Sequence, residues 1–202
     1  MALDDRRYKA ARLPDLRTPE LWLRPWDPGA DDDVEAWLRG RADAEFRRWN
    51  TPLRTATDEE SAREQLRAAA RNAAEGGAAP YCIADPVTGR PLGHIGVNAI
   101  DRVMKTARVG YWVLPEARGH GVATRALALA TRWALTDLGL YRIELGHAVG
   151  HDSSCHIAER CGFRYEGTLR GAMWEAGRQD AYRDAHLHAR LADDPDPDPD
   201  AS

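Results

Sequence analysis

The sequence predicts a single α+β domain built on a mixed sheet. Three features lead there. Runs that alternate apolar and polar residues recur along the chain, and helical stripes separate them. A strand, a glycine-rich turn, a long helix and a second strand then follow one another between residues 106 and 149. Such a unit closes as a right-handed crossover and leaves its two strands roughly parallel. A length of 202 residues suits one domain of this kind.

The elements can be read in order. Residues 1–16, "MALDDRRYKAARLPDL", are expected to be an N-terminal extension to a domain spanning 17–192. "LWLRPW" (21–26) alternates and reads as the first strand. From Asp33 to Trp49, Val34, Trp37, Leu38 and Phe46 mark an amphipathic helical region, broken near Gly40. Thr57 and Glu60 have the spacing of a capping box for a helix that closes at Gly76–Gly77. "PYCIADPVTGRPLGHIGVNAI" reads as two strands around a turn, and "TARVGYWVLP" as a third, ended by Pro115. Along that third strand Ala107, Val109, Tyr111 and Val113 share one face, and Arg108, Gly110, Trp112 and Leu114 the other.

The long helix runs to about Leu138, with Val122, Ala126, Leu129, Ala130 and Trp133 as its buried stripe. "YRIELGHAV" is a strand, and "HDSSCHIAERCGF" a short helix capped by Asp152 or Ser153 and stopped at Gly162. "RYEGTLRGAMW" and "DAYRDAHLHARL" close the domain as a strand pair. Residues 193–202, alternating Asp and Pro, are expected to be a disordered tail.

Composition narrows the function classes. No apolar stretch approaches the ~20 residues of a membrane span, and the N-terminus lacks a signal-peptide core. Three cysteines (Cys82, Cys155, Cys161) cannot pair evenly and show no zinc spacing. A cytoplasmic location and no metal are therefore expected. The last ten residues hold five aspartates, more than the whole formal excess of −4. The rest of the chain is close to neutral, so neither nucleic acid nor membrane is expected as a partner. The oligomeric state stays open, a homodimer included.

The chemistry centres on "RGHGVAT" (118–124). A helix N-terminus carries unpaired N–H groups and a partial positive charge, and glycines let an anion approach. The turn lacks the lysine of a P-loop and the third glycine of a dinucleotide fingerprint. Taken alone, an anion site and an ordinary strand-to-helix connection fit it equally.

The pattern R-x-x-G-x-A after "GYWVLPEA", at the head of a long helix, resembles the acyl-CoA diphosphate loop of the GNAT N-acetyltransferase superfamily. "HDSSCHIAERCGFRYEGTLRG", "YRDAHLHARL" and "RADAEFRRWNTP" are similar to segments of its ribosomal-protein N-terminal acetyltransferase branch, the RimJ/RimL type. The resemblance covers roughly residues 17–192. It implies a GNAT fold, with a mixed, mostly antiparallel sheet of about six to seven strands, a central β-α-β acyl-CoA unit and flanking helices. It also implies acetyl-CoA as co-substrate.

Residue by residue, the resemblance gives Arg118, Gly119, His120, Gly121, Val122, Ala123 and Thr124 the diphosphate. Trp112, Val113 and Leu114 line the pantetheine arm, which lies along an exposed strand edge where "YRIELGHAV" splays away. His151 stands where the family usually has Asn, and Ser154 matches the family serine. The tyrosine that many members use as general acid falls at Ala158, so Ser154 is the candidate to protonate the leaving thiolate. Arg108 stands where relatives often carry glutamate. A base then has to come from Glu175, or from Glu116 or His147. Trp49 and Trp174 are assigned to the acceptor site.

The acceptor is a primary amine that must attack in its neutral form. An α-amine, with a pKa of ~7.7–8.0, is partly neutral near pH 7, whereas a lysine amine at ~10.4 hardly is. A site with no obvious strong base suits a protein or peptide N-terminus. A small amine, such as an antibiotic or polyamine, and an inactive acyl-CoA-binding module are the alternatives.

Overall fold

The computed structural model describes residues 13–52 and 54–197. Most of the expected N-terminal extension, and residues 198–202 of the expected tail, lie outside the described residues.

In chain order the elements are β1 (Leu16–Thr18), β2 (Leu21–Pro25), α1 (Asp31–Ala42), α2 (Ala44–Trp49), α3 (Glu59–Ala74), β3 (Ala79–Ala84), β4 (Pro91–Asp101) and β5 (Thr106–Val113). A 3-10 turn (Pro115–Ala117) leads into α4 (Val122–Thr136), then β6 (Arg142–Ala148), α5 (Asp152–Arg160), β7 (Arg164–Trp174) and β8 (Tyr182–Leu191). The strands form one eight-stranded sheet, ordered β1-β2-β3-β4-β5-β6-β8-β7. Every pairing is antiparallel except β5 with β6, the two ends of the α4 crossover. β1 is a short edge strand with no alternation long enough to be read from sequence.

The sheet is covered on both faces. Tyr81, Ile83, Ile95, Val109, Ile143 and Leu145 pack with Ala126, Leu127, Ala130 and Trp133 of α4 and with Ala158 and Phe163. On the opposite face Cys82, Ala84, Trp112 and Leu114 pack with Trp26 and with Val34, Trp37, Ala62 and Leu66 of α1 and α3. Period-two alternation along β3 and β5 divides their side chains between these cores, so β3 is buried throughout.

Three helix boundaries differ from the expected ones. The break between α1 and α2 falls at Asp43, whose carboxylate accepts from the Phe46 amide, and not at Gly40. Gly40 stays helical because a Cβ there would lie 2.2 Å from a ring carbon of Trp112. The α3 cap is Asp58, one residue later than expected, in a capping box with Ser61. The residue preceding α5 is His151, with no side-chain cap.

Asp33 is buried in a two-point ion pair with Arg24, at 2.7 Å for both contacts, and also accepts from the Asp27 amide. It locks α1 to β2. At the C-terminal end of the domain, Asp194 pairs with Arg164 and Asp196 with Arg190, so these two residues of the expected tail are tied to β7 and β8.

Trp26, Trp37, His94 and Trp112 form an aromatic box under α1, with ring centroids 5.3 to 6.1 Å apart. The Trp26 indole N–H donates to His94 Nδ1 at 3.1 Å, which requires a neutral imidazole. Burial, aided by nearby Arg41, pushes the His94 pKa from 6.5 down to about 3.

Two outcomes are expected. Gly40→Ala should cost about 1–3 kcal/mol in urea unfolding by overpacking against Trp112; unchanged stability would show that the contact gives way. Because His94 titrates lower in the folded than in the unfolded state, its stabilisation is complete above about pH 6.5. It is lost as pH falls toward 3. The fall in Tm over that range should be shallower in His94→Asn than in the parent protein, and equal slopes would locate the acid sensitivity elsewhere.

Candidate functional site

β5 and β6 are paired only from Thr106–Arg142 to Val109–Leu145. Beyond that register each strand keeps its outer neighbour. β5 remains on β4 as far as Gly93–Val113, and β6 remains on β8 as far as Ala148–Ala185. The inner edges part and open a cleft of about 370 Å³. Tyr111, Trp112 and Val113 form one wall, and Ser153, Ser154 and Ile157 of α5 the other. Glu45, Phe46, Trp49 and Asn50, on and just after α2, cover the mouth.

The glycine-rich turn closes one end. Gly119 and Gly121 have φ of 78° and 69°, where a side chain would be strained. Gly121 precedes α4 without any side-chain cap. Among the described residues none accepts a hydrogen bond from the backbone N–H groups of Gly119 to Thr124. Gly119, Gly121, Val122, Ala123 and Thr124 line the cleft at the positive helix end. The Arg118 guanidinium is engaged elsewhere: its Nε donates to the Val113 carbonyl at 3.0 Å and Nη2 to Asp43. The loop therefore offers an anion mainly backbone donors.

A polar chain runs along the floor. The Tyr111 hydroxyl donates to Ser154 Oγ at 3.4 Å, and Ser154 Oγ lies 3.2 Å from His151 Nδ1. The His151 ring stacks on Trp49, centroids 4.4 Å apart and planes at 5°. Burial first, then the neighbouring His147, pushes the His151 pKa down to about 4, so the ring is neutral near pH 7. Burial pushes Tyr111 up to about 12, so its phenol keeps its proton. Of the described residues lining the cleft, Glu45 is the one carboxylate, and it accepts the Trp49 indole N–H at 2.6 Å.

A second cavity, of about 440 Å³, adjoins the first across Phe46 and Asn50. Arg41, Thr51, Trp174 and Tyr182 contribute to its walls.

Of the residues singled out from sequence, the fold gathers Trp49, Trp112, Val113, Arg118, Gly119, Gly121, Val122, Ala123, Thr124, His151 and Ser154 around the first cleft. Four lie off it. Leu114 is turned into the core beneath α1, and His120 is exposed at the turn. Trp174 lines the second cavity. Glu175 sits on the β7–β8 hairpin, its carboxylate accepting from the Ala176 amide and its backbone carbonyl from the Thr51 hydroxyl. The other base candidates do not line the cleft either: Glu116 is paired with Arg39 on the surface, and His147, its ring 6.0 Å from that of His151, is buried against Cys155.

Sequence reading missed Tyr111 and Asn50 as site residues. The signal for Tyr111 was a hydroxyl on an inward strand face otherwise built of alanine and valine.

Comparison with known proteins agrees with the fold. Residues 20–164 match the family described as an acetyltransferase (GNAT) domain. A ribosomal-protein-serine acetyltransferase of Escherichia coli is 33% identical over 102 residues, 50% of this chain and 55% of that protein. The YdaF protein of Bacillus subtilis is 34% identical over 89 residues, 44% and 49% of the two chains. The chain thus spans about half the length of the curated relatives it matches. Among solved structures, RimJ of Mycobacterium smegmatis in complex with CoA-disulfide superposes with a TM-score of 0.77 at 28% identity, over 89% of this chain and 86% of that one.

Proposed function

The chain belongs to the GNAT acetyltransferase family, and from that premise we propose that it transfers an acetyl group from acetyl-CoA to the α-amine of a protein or peptide N-terminus. The observation that carries this reading is the gap between β5 and β6, closed at one end by the unpaired amides of residues 119–124.

In this reading the diphosphate rests on those amides, and the pantetheine arm lies along the free edge of β5 like an added strand. The thioester enters the gap, where a backbone N–H polarises its carbonyl. The neutral amine attacks the carbonyl carbon, the C–S bond breaks, and the amide forms as CoA leaves. The proton leaving the attacking nitrogen passes to the Tyr111–Ser154 pair as that pair gives one to the departing thiolate, so the pair ends as it began. Since no net proton is consumed, a polar relay suffices, and the neutral His151 ring beyond Ser154 orients it. The CoA ligand in the mycobacterial RimJ structure supports the coenzyme part.

The acceptor part rests on two supports. The cleft has one carboxylate and no strong base, which favours an amine of modest pKa. The Escherichia coli relative is named for a ribosomal protein. The acceptor chain would reach the gap through the second cavity, past Trp49 on one side and Trp174 on the other. Glu175 would shape that entrance through its backbone contact with Thr51.

Gly121→Glu places a charged side chain at a positive φ in the phosphate position. It should weaken CoA binding more than about tenfold by calorimetry, and unchanged affinity would remove the turn from the site. Tyr111→Phe and Ser154→Ala should each lower kcat by about 10–100-fold with little change in acetyl-CoA affinity; parental rates would remove the relay. Peptides with a free N-terminus should yield free CoA, whereas the same peptides with a blocked N-terminus and an internal lysine should not. The reverse pattern would overturn the α-amine reading.

A further inference from the structure

Where α5 meets β6 and β8, four side chains from three elements converge. β6 supplies His147, α5 supplies Cys155, and β8 supplies His186 and His188. Register explains the convergence. His147 is the cross-strand partner of His186, and His188 follows two residues on, on the same face of β8. α5 folds back over β6 and lowers Cys155 onto the three rings.

The Cys155 sulfur lies 3.3 Å from His147 Nε2, 3.4 Å from His186 Nδ1 and 3.6 Å from His188 Nε2. His147 Nε2 and His188 Nε2 are 3.3 Å apart, and all four candidate ligand atoms lie within 4.8 Å of one another. Tetrahedral zinc, with Zn–N of about 2.1 Å and Zn–S of about 2.3 Å, holds its ligands about 3.4 Å apart for N···N and about 3.6 Å for S···N. The four separations of 3.3 to 3.6 Å match that polyhedron.

The surroundings suit a metal. The His147 Nδ1–H donates to the Ala148 carbonyl at 3.0 Å. That bond fixes the tautomer and turns the Nε2 lone pair into the cluster, as outer-shell carbonyls do for metal-bound histidines. The Tyr165 ring lies edge-on to both His186 and His188, at 5.1 and 5.4 Å, and roofs the group. His147 and His188 are buried while Cys155 and His186 are partly open, which leaves an entry path.

We propose that His147, Cys155, His186 and His188 form a tetrahedral zinc site that fastens α5 to β6 and β8. One thiolate with three imidazoles selects zinc over magnesium or calcium, which prefer oxygen ligands. A closed set of four protein ligands marks a structural site, with no open position for substrate. Binding replaces the S–H bond of Cys155 by an S–Zn bond and releases that proton to solvent. The site departs from the metal-free expectation. That expectation looked for paired cysteines close in sequence, whereas here histidines dominate and the ligands come from separate elements.

The test uses the full chain. Purified without chelator, it should carry one zinc per chain by elemental analysis. The stripped chain titrated with cobalt(II) should show a thiolate-to-cobalt band and the intense visible bands of a tetrahedral centre, saturating at one equivalent and bleached by zinc. Zinc, but not magnesium, should raise the Tm of the stripped chain. Cys155→Ala should lose the sulfur band, and His188→Gln should lose stoichiometric zinc. If either variant fails to fold, the titration of the parent chain decides. The proposal is overturned by a parent chain that binds neither zinc nor cobalt at about micromolar concentration, by the pale spectrum of octahedral cobalt, or by a sulfur band that survives in folded Cys155→Ala.

Discussion

Two strands joined by a crossover stop pairing halfway along, and the rest of the site follows from that. A sheet interior normally satisfies every backbone N–H and C=O, because an unpaired buried group costs about as much as a lost hydrogen bond. β5 and β6 satisfy the rule for four registers and then break it. Neither strand is frayed. Each remains zipped to its outer neighbour along the open stretch, so the gap is held from both sides by ladders that do not loosen. The result is a rigid edge of unpaired backbone inside a protein, the arrangement that an extended amide-containing ligand arm can complete.

The packing around β5 makes this edge precise in position. Gly93 lets β4 approach closely enough that a Cβ there would lie 2.3 Å from the Trp112 carbonyl oxygen. On one face Trp112 is clamped by the aromatic box and by Gly40 of α1. On the other, Val109 lies in the core beneath α4, with Tyr111 and Val113 packed against it. The helix whose amides face the cleft is thus anchored to the strand whose edge borders it, and the distance between the two ends of the site is set by core packing rather than by a loop.

How far this could be read from sequence depended on how local the cause was. The glycine turn, the long helix and the alternation of β5 are local patterns, and each appears where its pattern placed it. The α3 cap moved by one residue because Asp58 and Ser61 satisfy each other better than Thr57 and Glu60. Gly40 looked like a helix breaker but is a contact point, since its partner lies 72 positions away on another element. Tyr111 joined the site only when α5 brought Ser154 over it, and Glu175 left it because its hairpin turns toward Thr51. Such contacts between distant elements are set by packing, and no short motif encodes them.

α5 ties these strands of reasoning together. Its N-terminal turn presents Ser154 to the cleft and Cys155 to the sheet, and the residue before it, His151, stacks on Trp49. The helix is only nine residues long, too short to hold its own shape without tertiary support. It has no side-chain cap at its start, so its position must come from contacts on either side. Ala158 and Phe163 anchor its far end in the core, while its near end is held by the Trp49–His151 stack, the Tyr111–Ser154–His151 chain and the thiol–imidazole group. Any force that draws Cys155 toward β6 and β8 therefore also sets where Ser154 sits over Tyr111. The geometry of the cleft and the chemistry of the thiol–imidazole group are coupled through a single turn of helix.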